Sequence, residues 1–210
     1  MKVFPVINCS TKSCFEKRLS LAKSFLPKNS WVSVDISQKP FARSHSFFDF
    51  KILRKYSDYF KFEGDLMINK EEIYNLGWFH SPFKRLLFYW RQVEDWNFLK
   101  KAARKHKKIL GVVVEADYFS SRFLLPQGVR FIQVLAVSPG PSAQKFSLQA
   151  LKVIKFLRKK YPYATISVDG GINPEVAQKV KKAGANIVVS SSYIWKSKNP
   201  QERFWELKKI

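Results

Sequence analysis

The amino-acid sequence predicts a single (β/α)8 TIM barrel over residues 1–210. Short β-branched or aromatic runs alternate with helical patterns eight times, with no long linker or low-complexity stretch between them. Two of the runs, Ile109-Leu110-Gly111-Val112-Val113-Val114 and Ile132-Gln133-Val134-Leu135-Ala136-Val137, are nearly continuous and apolar, as strands covered on both faces should be. The seventh run closes on Val168-Asp169-Gly170-Gly171. A carboxylate thereby stands at the strand end where barrels gather their functional residues. Eight units also fit a doubly wound open sheet, but nothing like G-x-G-x-x-G follows the first strand, which weakens its dinucleotide-binding form.

In order, the pattern places a strand over 2–8 and a helix over 13–25, then a strand over 30–36 and a helix over 47–56. A strand over 59–67 precedes a helix over 70–76, and a strand over 84–90 precedes one over 94–106. The apolar strand over 108–115 is followed by a poor, short helix near 118–124. The strand over 130–137 leads to a helix over 145–160, and the strand over 163–168 to a helix over 174–183. Here the boundary signals are strong: Asn173 suits an N-cap, Pro174 the first helical position, and Gly184 the C-cap after Lys181-Lys182. The last strand, over 185–190, precedes a helix over 200–209 that Asn199 and Pro200 open in the same way.

Composition narrows the class. A hydrophobic fraction of 46% with 16% aromatics argues against disorder. No apolar run reaches membrane-spanning length, and the first residues do not read as a signal peptide, so a cytoplasmic protein without a membrane partner is expected. Cys9 and Cys14 are too few for a disulfide scaffold and are read as reduced thiols. The charge is extreme: 38 basic against 16 acidic residues give +22. The cations cluster at Lys100-Lys101, at Arg104 to Lys108, at Lys155 with Arg158-Lys159-Lys160, and at Lys179 with Lys181-Lys182. These helices present a solvated basic face or a surface for RNA or another polyanion. Homo-oligomerisation stays open.

The strand ends supply the candidate site. They carry Asp35, then Asp65, the loop Ser138-Pro139-Gly140-Pro141-Ser142-Ala143, then Asp169-Gly170-Gly171, and finally Ser190-Ser191-Ser192. A carboxylate beside glycines whose backbone N–H groups can approach an anion suits chemistry on a phosphorylated substrate, and three aspartates could face the one mouth. Tyr89 and Trp90, at the end of the fourth strand, are candidates to line the pocket. Structural readings stand beside these: Asp169 as a turn and helix-entry residue, Asp35 as a buried hydrogen-bonded one.

Val137-Ser138-Pro139-Gly140 through Gln144-Lys145-Phe146, Val168 to Asn173, and Ala183-Gly184-Ala185-Asn186 with Val189 resemble ribulose-phosphate 3-epimerase. Val34-Asp35 with Phe41, and Leu66-Met67-Ile68, look like the family's motifs on strands two and three. The resemblance implies a barrel of the ribulose-phosphate-binding type that interconverts ribulose 5-phosphate and xylulose 5-phosphate. Asp35 and Asp169 would be its acid–base pair, and Gly140, Ser142, Ala143, Gly170, Gly171, Ser191 and Ser192 its phosphate and substrate contacts. It also implies a divalent metal and no organic cofactor. The family's two metal-ligand histidines correspond to Ser33 and Asp65, and the residues after the strand-two aspartate become Ser37, Gln38 and Lys39. An all-oxygen set of Asp35, Asp65 and Asp169 favours magnesium or manganese over zinc or iron. The alternative is that no metal binds and that Lys39 or another cation offsets the carboxylate charge. His80 and His106 miss the ligand positions, whereas His45 lies in the loop after strand two, within reach of the mouth.

Overall fold

A computed structural model describes residues 1–210. Eight parallel strands form a closed barrel in sequence order. They are β1 (Lys2–Ile7), β2 (Trp31–Ser37), β3 (Lys61–Met67), β4 (Arg85–Tyr89), β5 (Ile109–Glu115), β6 (Phe131–Leu135), β7 (Thr165–Asp169) and β8 (Ile187–Ser190). The helices are α1 (Lys12–Phe25), α2 (Phe50–Tyr56), α3 (Gly77–His80), α4 (Trp96–Lys105), α5 (Gln149–Lys160), α6 (Pro174–Ala183), α7 (Ser192–Trp195) and α8 (Pro200–Lys209). The chain groups into two compact units, one of Val6–Leu110 with Pro139–Pro141, the other of Met1–Pro5, Gly111–Ser138 and Ser142–Ile210.

In the first unit, β2 and β3 pair over their whole length, from Trp31 opposite Lys61 to Ser37 opposite Met67. Side chains alternate across a strand, so Ser33, Asp35 and Ser37 share one face of β2 while Val32, Val34 and Ile36 take the other. The same parity puts Glu63, Asp65 and Met67 together on β3. Arg85 on β4 stands opposite Glu63, and its guanidinium donates to Glu63 Oε2 at 2.6 Å in a fully buried ion pair. The Trp31 ring covers that guanidinium at 4.1 Å. Asp49 caps α2 by accepting from the N–H groups of Lys51 and Ile52, which moves the helix start from 47 to Phe50. The helix expected over 70–76 is a 3-10 turn, Lys70–Glu72, followed by α3. The Asn75 side chain accepts from Gly77 N–H at 2.8 Å and breaks the run there.

In the second unit, β6, β7 and β8 pair in register, Leu135 opposite Asp169 and Asp169 opposite Val189. Asn173 caps α6 through Val176 N–H, Pro174 opens it, and Gly184 closes it in the left-handed conformation, as the sequence signals require. Asn199 caps α8 in the same way, through Glu202 N–H. The short helix expected near 118–124 is only a 3-10 turn, Ala116–Tyr118. Ser120 turns the chain instead, its hydroxyl accepting from Arg122 N–H and its carbonyl from Phe123 N–H, while Phe119 packs on Phe123 and Phe156. α5 begins at Gln149 rather than 145, because Phe146 is buried before the helix starts. No helix is long and apolar enough to cross a membrane.

One sequence expectation is overturned outright: Cys9 and Cys14 form a disulfide. The strand-to-helix turn after β1 folds back on itself. Thr11 caps α1 through Cys14 N–H, and the two cysteine Cα atoms come within 5.8 Å, inside bridging range.

Candidate active site

The first unit supplies Asp35 and Asp65. They are directly opposite on β2 and β3, both buried. Asn8, the residue after β1, donates its side-chain amide to Asp35 Oδ2 at 2.6 Å and to the carbonyl of Gly140 at 3.2 Å. Arg18 on α1 in turn donates to the carbonyl of Asn8 at 2.6 Å. Desolvation lowers the pKa of this half-buried guanidinium, and the nearby Asp35 charge works in the opposite direction. Arg18 is thus the cation set against Asp35, while Lys39 is exposed in the loop beyond β2. That loop is fixed by Ser46, whose hydroxyl donates to the carbonyl of Asp35 at 2.7 Å and accepts from Ser37 N–H at 2.8 Å.

The second unit supplies Asp169 as the last residue of β7, its carbonyl accepting from Ala136 N–H. Gly170 and Gly171 follow at φ 101° and 66°. A Cβ on the first would lie 2.6 Å from Val137 Cγ2, and one on the second 2.6 Å from the Phe146 nitrogen. Only glycine lets the loop after β6 close against this turn. Ser190, the last residue of the adjacent β8, and Ser191, just after it, hold buried hydroxyls without a hydrogen-bond partner, and Ser192 opens α7. Ser142 and Ala143 are exposed, and Ala143 sits at φ 70°, a conformation that suits glycine.

Asp35, Asp65 and Asp169 each offer a carboxylate oxygen, and these oxygens lie within 4.8 Å of one another. Carboxylate oxygens suit a hard cation, so the three together could hold a metal ion. Ser33 is buried two residues before Asp35, on the same face of β2. Of the other candidates, His45 is exposed, and His80 and His106 meet edge-on, with ring centroids 4.3 Å apart. Tyr89 is buried and packs edge-on against Phe41 at 4.9 Å, and Trp90 is half-buried.

Sequence reasoning missed Asn8, Arg18 and the Glu63–Arg85 pair. The parity of β3 was the available signal for Glu63, since it lies two residues before Asp65 and shares its face. Nothing in the sequence marks Arg18 among 38 basic residues.

The sequence pattern of the ribulose-phosphate 3 epimerase family matches residues 22–195. Ribulose-phosphate 3-epimerase of Schizosaccharomyces pombe is 28% identical over 116 residues, 50% of this chain and 51% of that protein. The cytoplasmic isoform of Oryza sativa is 38% identical over 81 residues, 39% of this chain and 36% of that protein. The chain thus spans about a third to a half of the length of these relatives. Among solved structures, orotidine 5'-monophosphate decarboxylase from Sulfolobus solfataricus superposes with a TM-score of 0.68 at 15% identity, covering 100% of this chain and 96% of that one. A 3-hexulose-6-phosphate synthase does so with a TM-score of 0.62 at 16% identity, covering 100% and 99%. At such identities the likeness is one of fold.

Proposed function

The chain belongs to the ribulose-phosphate 3-epimerase family, and from that premise we propose that it epimerises carbon 3 of ribulose 5-phosphate, giving xylulose 5-phosphate, with Asp35 and Asp169 as the acid–base pair. The carboxylate cluster carries this reading: Asp35, Asp65 and Asp169 come from three different strands, and their oxygens lie within 4.8 Å of one another. One carboxylate takes the proton from carbon 3, and the electron pair of that bond moves into an enediolate. The other returns a proton to the opposite face, which inverts the centre. Asp35, Asp65 and Asp169 would hold a magnesium or manganese ion, which when bound stabilises negative charge on the substrate oxygens.

The chain's own residues do the rest. Asn8 orients the Asp35 carboxylate by donating to one of its oxygens. Arg18 supplies positive charge behind it. The backbone at Gly170-Gly171, with Ser142, Ala143, Ser191 and Ser192, would receive the phosphate. Asp65 replaces an imidazole with a carboxylate, which shifts the metal preference and keeps a ligand at that position.

The test is deuterium incorporation from solvent at carbon 3 of ribulose 5-phosphate, followed by NMR with magnesium, manganese, zinc or iron(II) added separately. Exchange with magnesium or manganese that vanishes in Asp35→Asn and Asp169→Asn is the expected result. A folded protein that exchanges nothing with any metal would overturn the proposal and leave a barrel repurposed to bind a phosphorylated ligand.

A further inference from the structure

The basic run at the end of α5 divides into two sets once the side chains are placed. Arg158 is structural. Its guanidinium donates to the carbonyls of Gly184, Pro162 and Ala164 and to Asn186 Oδ1. Lys160 is partly committed, donating to the carbonyl of Phe123 at 2.9 Å. Lys152, Lys155 and Lys159 are exposed and make no ion pair, and α5 contains no acidic residue to offset them. Their spacing of three and then four residues aligns them on one face, opposite the buried Ala150, Val153, Ile154 and Leu157. The helix therefore presents a straight row of free ammonium groups about 10 Å long.

Three residues past the end of α5 stands Tyr163, 94% exposed. Its backbone is anchored on both sides, because Arg158 holds the carbonyls of Pro162 before it and Ala164 after it. The ring borders a hollow whose walls include Tyr161 and Pro162 and whose cations are Arg130 and Lys160. A base can stack on this exposed ring while the lysine row tracks the phosphates. Charge alone would fit any polyanion, but the exposed tyrosine adds a π-face that only a ligand with flat rings uses.

We propose that the α5 face and the 161–164 turn bind single-stranded nucleic acid, with Lys152, Lys155 and Lys159 on the phosphates and Tyr163 under a base. The surface is independent of the carboxylate cluster, so the proposal stands or falls apart from the epimerase reading.

The test is fluorescence anisotropy of a labelled short oligouridylate titrated at several salt concentrations, with inorganic polyphosphate as the base-free competitor. The wild-type affinity should fall linearly on a log–log salt plot. Joint replacement Lys152→Gln, Lys155→Gln and Lys159→Gln should reduce that slope by about 2, since each single-strand phosphate contact contributes roughly 0.7. Tyr163→Ala should weaken oligouridylate binding at least about 5-fold with the slope unchanged, and should leave polyphosphate binding alone. All four side chains lie outside the core, and matching thermal melts would show the variants folded. An unchanged slope in the lysine variant overturns the proposal. So does a Tyr163→Ala protein that binds oligouridylate as before, because the face would then read charge alone.

Discussion

The amide of Asn8 donates to Asp35 Oδ2 at 2.6 Å, and Arg18 holds the carbonyl of the same asparagine. One residue at the end of β1 thus ties the carboxylate on β2 to a cation on α1. Hydrogen bonds to charged groups contribute about 1.5–3 kcal/mol. Asn8→Ala should therefore slow carbon-3 exchange by roughly 10-fold or more in kcat, through the lost bond to Asp35, and should raise KM as well, because the same amide holds the carbonyl of Gly140. Steady-state kinetics beside a thermal melt would check this. A KM effect with kcat intact would place Asn8 in substrate binding instead.

The bridge between Cys9 and Cys14 closes a short loop directly after Asn8. In the chain-entropy account a loop this short still stabilises by about 2 kcal/mol. Reductant should lower the melting temperature of the wild type, and the double variant Cys9→Ser with Cys14→Ser should show the lowered value without reductant. A wild type indifferent to reductant would show that the bridge does not form in solution.

The alternation of patterns made the barrel legible because parallel strands buried on both faces must be apolar, as β5 and β6 are. Helix boundaries were exact where a side-chain cap was unambiguous, at Asn173 and Asn199. They slipped where a competing local hydrogen bond was decisive, at Asp49, Asn75 and Ser120. The three aspartates were legible by position at strand ends. Asn8 and Arg18 were not, because their roles depend on which strand and helix ends meet in space. Cys9 and Cys14 were misread because their count argues for thiols, whereas their pairing follows from the turn between β1 and α1.

Ala143 at φ 70° occupies a conformation that an alanine side chain resists. Left-handed backbone costs a non-glycine residue roughly 1 kcal/mol, less the entropy glycine loses on folding. Ala143→Gly should raise stability by up to about 0.5 kcal/mol. Thermal or urea unfolding would measure it. A destabilised variant would mean that the alanine methyl makes contacts worth more than the strain.

Glu63 and Arg85 form the one ion pair with both side chains buried, at 9% exposure or less. Burial raises the pKa of the Glu63 carboxyl, and Arg85 and Ser33 oppose that shift. An acid whose folded-state pKa is raised contributes stability that is fully present below its unfolded value and is lost as pH rises through the folded one. The pair therefore sits at neutral pH at a desolvation cost. Removing one partner leaves the other buried and costs more still, so Glu63→Gln and Arg85→Met should each destabilise by about 3–5 kcal/mol. The double variant should fall well short of the sum and could equal the wild type. Urea unfolding of the four proteins completes the cycle, and strictly additive losses would show that the two side chains act on stability independently, despite a 2.6 Å contact.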